Sequence, residues 1–109
     1  MELLIPTKFH LSQNYPNPFK DKTKIKYCIA FKTKVRLLVL SSDGKVVEEL
    51  LDEEKDAGTY EIEFSAYKNH KGESRILPDG SYFYQLKAVP IGRQAGDFLA
   101  EKEMKLLNK

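Results

Sequence analysis

The sequence predicts an all-β fold, an antiparallel β-sandwich, and three observations carry that expectation. Apolar and polar residues alternate with period two in successive stretches, the pattern of half-buried strands. Turn-forming residues recur between those stretches at short, regular intervals. Six Phe and six Tyr, with no Trp, supply side chains that suit a pleated surface.

The chain has 109 residues, enough for one domain with a real core. Apolar residues make up 41%, which argues against disorder. Eighteen basic and sixteen acidic residues leave a net charge of +2, too small to point to a nucleic-acid partner. The one cysteine, Cys28, excludes an internal disulfide and leaves the redox compartment open. The start, Met1 to Pro6, lacks the apolar run of a signal peptide, and no stretch reaches the ~20 apolar residues of a membrane helix.

Ahead of the first strand lies Asn14-Tyr15-Pro16-Asn17-Pro18-Phe19. Two prolines two apart fix φ and push Tyr15 and Asn17 toward extended backbone. Neither can donate to a sheet ladder, so the segment is expected as a stiff strap covering a sheet edge. It lacks the Pro-x-x-Pro spacing of a peptide ligand for aromatic grooves.

Thr23 to Phe31 follows as a strand, with Ile25, Tyr27, Ile29 and Phe31 inward. Lys34 to Ser41 is more continuously apolar, as where both faces are partly covered. Ser41-Ser42-Asp43-Gly44 closes a hairpin onto Val46 to Leu51. Asp52 to Gly58 reads as an acidic loop, and Thr59 to Phe64 as a strand with Tyr60, Ile62 and Phe64 on one face. Tyr67 to Asp79, with Asn69, Gly72 and Pro78, reads as a long crossing loop. Ser81 to Val89 is the most strand-like segment, with Tyr82, Tyr84 and Leu86 facing one way. The tail 98–107 is helical by propensity, but its sandwich context and the shared face of Phe98, Ala100, Met104 and Leu106 predict a strand.

Catalytic chemistry finds little footing. His10 and His70 lie far apart with no zinc spacing, and both read as surface histidines. Cys28 shares its face with Lys24 and Lys26 but has no base, so it reads as a packed or outward thiol. No nucleophile elbow or phosphate loop is present. Asp52, Glu53, Glu54 and Asp56 offer oxygen ligands without the spacing of a calcium loop, and read as a solvated turn. No cofactor is expected. Lys20, Lys22, Lys24 and Lys26 are spaced by two and form a basic row; it reads as a soluble outer face, or as a docking stripe for an anionic surface such as lipopolysaccharide.

Taken together these residues resemble the C-terminal sorting domain of proteins exported by the type IX secretion system, itself similar to the Ig-like domain of flagellar hook-capping proteins. The opening Leu11-Ser12-Gln13-Asn14-Tyr15-Pro16-Asn17-Pro18-Phe19 and the threonine-led strand from Thr23 carry the resemblance. Val35, Leu37, Val39, Gly44, Val47, Ala57-Gly58, Gly80-Ser81-Tyr82-Phe83-Tyr84 and Met104 follow in order. Leu40-Ser41 and Phe64-Ser65 depart from the family's Tyr-Asp and Trp-led pairs, and the loop before Gly80 is longer.

The resemblance implies an Ig-like antiparallel sandwich of about seven strands spanning residues 9–109, with residues 1–8 as linker or an added start. It implies a non-catalytic module at the natural C-terminus of a larger parent protein. That parent would pass through the periplasm and outer membrane, to be secreted or held at the cell surface. The translocon would read the domain, a sortase-like peptidase would cut upstream of Phe9, and the cargo would join surface lipopolysaccharide. The residues implicated in recognition are Lys102, Met104, Lys105, Leu106, Leu107 and Lys109. A structural or adhesion module is the alternative, as is a glycan-binding domain beside an enzyme, for which Tyr67, Tyr82 and Tyr84 are the candidate aromatics. Sandwich edges also permit a dimer by strand pairing.

Overall fold

A computed structural model describes residues 8–70, 73–92 and 95–108. Gly72, Lys109 and residues 1–7 of the expected linker lie outside the described residues, as do the side chains of Asn69 and His70. Nine strands form among the described residues, and no helix: β1 (His10–Leu11), β2 (Lys22–Ile29), β3 (Thr33–Ser41), β4 (Val46–Lys55), β5 (Gly58–Ser65), β6 (Tyr67–His70), β7 (Glu73–Ile76), β8 (Gly80–Pro90) and β9 (Phe98–Leu106).

Seven of them make the sandwich. One sheet has the order β1-β2-β5 and the other β4-β3-β8-β9, with every ladder antiparallel. The chain changes sheet between β2 and β3, between β4 and β5, and between β5 and β8, so the two inner faces are threaded together. Period-two alternation sets which side chains meet: Ile25, Tyr27, Ile29 and Phe64 from the first sheet close on Val35, Leu37, Val39, Tyr84, Leu86 and Met104 from the second. The face assignments expected for β2, β3, β5 and β8 are those observed, except that β2 ends at Ile29 and Phe31 sits beyond it, edge-on to Phe9 at 5.1 Å.

Two tyrosines brace strand starts in the manner of a tyrosine corner. Tyr82 Oη donates to the Pro78 carbonyl at 2.6 Å, and Tyr60 Oη to the Asp56 carbonyl at 2.8 Å, each four residues back. The β3–β4 turn closes where Gly44 N–H donates to the Ser41 carbonyl at 2.9 Å; Gly44 takes φ +87, a conformation that costs a side chain dearly.

Three expectations change. Asp52 to Lys55 is not loop but the end of β4, laddered to β3 from Arg36↔Asp52 to Thr33↔Lys55, with Asp52 paired to Lys34 and Glu54 to Lys32 at 3.9 Å each. Exposed pairs of this kind add little stability, but they give each charge a place on a strand. Register shifts at Leu37/Leu38 and Val39/Leu40 let Val47, Leu50 and Leu51 all pack on the core despite their spacing. Second, the crossing segment after β5 holds a hairpin, β6–β7, rather than loop alone. Glu48 on β4 tethers it, accepting from Lys68 Nζ at 2.9 Å and Arg75 Nη2 at 3.0 Å. Third, of the acidic residues read as a solvated turn, Asp52, Glu53 and Glu54 are consecutive on β4, each with its own lysine partner, Glu53 on Lys55 at 2.9 Å among them, and Asp56 follows the strand.

The tail forms strand β9, as its context predicts. Its ladder with β8 runs from Gly80↔Leu106 to Ala88↔Phe98, and that pairing with burial of Met104 outweighs helical propensity.

Candidate functional site

The strap joins the two sheets along their common open side. At its start Phe9 stacks on Phe98 at 5.3 Å, and Leu11 is buried as β1 pairs with β2. Ser12 N–H then donates to the Lys26 carbonyl, and Tyr15 and Lys24 exchange a pair of main-chain bonds, all at 2.9 Å. Both X-Pro bonds, Tyr15-Pro16 and Asn17-Pro18, are cis. Past Pro18 the chain reaches the second sheet: Phe19 N–H donates to the Lys105 carbonyl and Leu107 N–H to the Phe19 carbonyl, each at 2.9 Å. Asn17 Oδ1 accepts from Lys105 N–H at 2.9 Å, and Gln13 Nε2 donates to the Glu103 carbonyl at 2.7 Å. The strap thus covers sheet edges, as its prolines predict: that of β2 through Tyr15 and that of β9 through Asn17 and Phe19.

Asn14 explains why this segment holds its shape. Its side chain is buried, with Nδ2 donating to the Pro16 carbonyl at 3.1 Å and to Thr23 Oγ1 at 3.0 Å, while Oδ1 accepts from Gln13 Nε2 at 2.7 Å. Thr23 Oγ1 in turn donates to the Pro16 carbonyl at 2.9 Å. Pro16 lies outside every ladder, which leaves its carbonyl open to both donors. Beneath them Tyr84 Oη accepts from Asn14 N–H at 2.8 Å and donates to the Ser12 carbonyl at 2.7 Å. Burial pushes the Tyr84 hydroxyl up to about 12, with the Asn14 bond acting against the shift. Burial, with Tyr60 and Glu53 nearby, likewise pushes Tyr27 up to about 12.

The signature residues divide by role. Asn14 and Phe19 are internal, Phe19 packing edge-on to Phe64 at 6.1 Å, whereas Tyr15 is 80% exposed. Among the residues expected to carry recognition, Met104 and Leu106 are core side chains, Lys102 is half-buried, and Lys105 and Leu107 face solvent. Lys109 lies outside the described residues. Of the basic row, Lys22, Lys24 and Lys26 share the exposed face of β2, while Lys20 precedes the strand. Glu63 and Glu61 stand opposite Lys24 and Lys26, and Lys24 Nζ lies 3.5 Å from Glu61, so the face is mixed rather than basic. Tyr82 and Tyr84 are buried and cannot form an exposed aromatic patch; Tyr67 is half-exposed. Sequence reasoning named Gln13 and Tyr84 as motif residues but missed the bonds by which Gln13 reaches Glu103 and Tyr84 clasps Ser12 and Asn14. Cys28 points outward, 3.6 Å from Thr59 Oγ1. Among the described residues no group of three or more His, Cys, Asp or Glu could hold a metal ion. No helix there is long and apolar enough to cross a membrane.

Fold and strap together define a sandwich module whose marked segment is occupied in binding its own closing strand. The chain matches the secretion system C-terminal sorting domain over residues 13–90, and it belongs to that family. The family is a C-terminal sorting signal of type IX secretion, a non-catalytic tail on proteins exported to the cell surface or secreted, which interacts with the secretion machinery. The matched span holds the strap through β8 and stops before β9. A search of curated proteins gives no match.

Proposed function

We propose that this domain sends a larger parent protein through the type IX outer-membrane translocon, and that the translocon reads the outward side chains of the closing strand and the residues after it. The observation that carries this is the strap-held end of β9, where Phe19 and Asn17 fix the Lys105 and Leu107 backbone while both side chains stay exposed. Lys105, Leu107 and Lys109 are then the contact residues. Lys102, Met104 and Leu106 serve by setting the strand's register. Downstream of translocation, a sortase-like peptidase cuts upstream of Phe9 and the cargo passes to surface lipopolysaccharide. The two tyrosine-corner bonds support the kinship with the Ig-like domain of flagellar hook-capping proteins at the level of fold.

The test is to fuse residues 9–109 to a reporter in a host with this secretion system and to compare it with a form lacking Leu106 to Lys109. Export of the first alone is expected. Export of both, or of neither, overturns the proposal, and a structural module would give the former.

A further inference from the structure

We infer that the exposed face around Tyr15 is a binding shelf for an oligosaccharide carrying well-spaced negative charges. Tyr15 is held from both sides: its main chain is paired to Lys24 in both directions at 2.9 Å, and Pro16 follows it. Its ring nevertheless stands 80% exposed, with neither an aromatic partner nor a hydroxyl hydrogen bond among the described residues. A rigid, amphipathic ring left in solvent is suited to stacking on a flat, partly apolar ligand.

Polar groups converge on both sides of that ring. One hollow of about 360 Å³ is lined by Gln13, Lys26 and Glu61, the other, of about 280 Å³, by Lys22, Thr23 and Glu63; Tyr15 and Lys24 line both. Lys24 is engaged by Glu61 at 3.5 Å. Lys22 and Lys26 have no ion-pair partner among the described residues, so each hollow holds one uncommitted ammonium and one carboxylate. The two ammoniums are four residues apart on β2, about 13 Å along the strand.

That arrangement selects among ligands. A peptide strand cannot add here, because Tyr15 already occupies the outer main-chain bonds of Lys24. A densely charged polyanion would meet Glu61 and Glu63 as well as the lysines. A sugar chain satisfies the whole set: a ring face on Tyr15, hydroxyls on the two carboxylates and Gln13, and separated acidic groups on Lys22 and Lys26. The shelf is separate from Lys105 and Leu107, and nothing in it depends on how the domain is sorted.

The experiment is a titration of the full chain, followed by NMR, with a hyaluronan hexasaccharide, which carries a carboxylate on every second sugar. Neutral dextran and polyglutamate serve as the other probes. Shifts centred on Tyr15, Lys22 and Lys26 with hyaluronan are expected, with weaker binding to dextran. Tyr15→Ala should weaken binding ~10-fold, consistent with the loss of one aromatic contact, while Tyr15→Phe should retain it. Lys22→Gln with Lys26→Gln should remove the preference over dextran. No binding to either sugar, shifts centred elsewhere, polyglutamate binding as well as hyaluronan, or an unaffected Tyr15→Ala variant with unchanged melting would overturn the inference.

Discussion

Phe19 and Leu107 are joined by a main-chain hydrogen bond of 2.9 Å, which ties the proline strap to the residue just past the last strand. The segment that marks the family and the segment proposed to be read are therefore one hydrogen-bonded unit, although 88 residues separate Asn17 from its partner Lys105. Asn17→Ala removes the acceptor for an exposed amide, and should cost about 1 kcal/mol or less. Hydrogen exchange should show Lys105 N–H losing protection while core amides of β8 keep theirs. Equal protection in both proteins would mean that the Asn17 bond does not hold the strand.

Phe19→Ala should behave differently. Its ring is buried against Phe64, so truncation leaves a cavity and should cost roughly 3–5 kcal/mol. Urea unfolding checks this. A loss below about 1 kcal/mol would place Phe19 outside the cooperative core.

Much of this architecture could be read from the residues. Strand faces followed from alternation because each sheet has one inner and one outer side, so Ile25, Tyr27, Ile29 and Phe64 could point only one way. Acidic run and crossing segment were misread for a common reason. Asp52 to Glu54 look like a loop until Lys32 and Lys34 stand opposite, and Tyr67 to His70 becomes a strand only because Glu73 to Ile76 returns beside it and Glu48 holds both. Cross-strand partners are distant in sequence and leave no local period. The same holds for the site: Asn14 and Thr23 were visible as motif residues, but their shared acceptor, the Pro16 carbonyl, and their support from Tyr84 exist only in three dimensions.

Tyr84→Phe tests that support. The variant keeps the ring and deletes only the hydroxyl, leaving the buried Asn14 N–H and the Ser12 carbonyl without their partner. A loss of roughly 1–3 kcal/mol is expected by urea unfolding, the cost of an unmet buried polar group. A neutral substitution would show that water replaces the hydroxyl there.

Alkaline pH should destabilise the domain through its buried tyrosines. Unfolded tyrosine loses its proton near pH 10, whereas Tyr27 and Tyr84 in the fold hold theirs to about 12. The folded state binds protons that the unfolded state has lost, so stability falls as pH rises through this window. Stability from both groups is fully present below about pH 10 and is lost toward pH 12, on the order of 2 kcal/mol for each. Urea midpoints measured from pH 9 to 12, with tyrosinate absorbance followed in parallel, should fall together with the ionisation. A flat midpoint across that range would show that neither hydroxyl is linked to folding.

Substitutions at Leu106 and Leu107 can separate folding from the proposed recognition, since the two are adjacent and differ mainly in which way they point. Leu106 is 1% exposed and Leu107 48% exposed. Leu106→Ala should cost roughly 2–5 kcal/mol, and any export defect it shows would follow from a loosened β9. Leu107→Ser removes no core contact, so its stability should change by no more than about 0.5 kcal/mol. In the reporter fusion, Leu107→Ser should nevertheless export poorly, and Lys105→Gln should add to the defect. If Leu107→Ser exports normally while Leu106→Ala fails in proportion to its lost stability, the machinery responds to the folded state of the closing strand and not to its outward side chains.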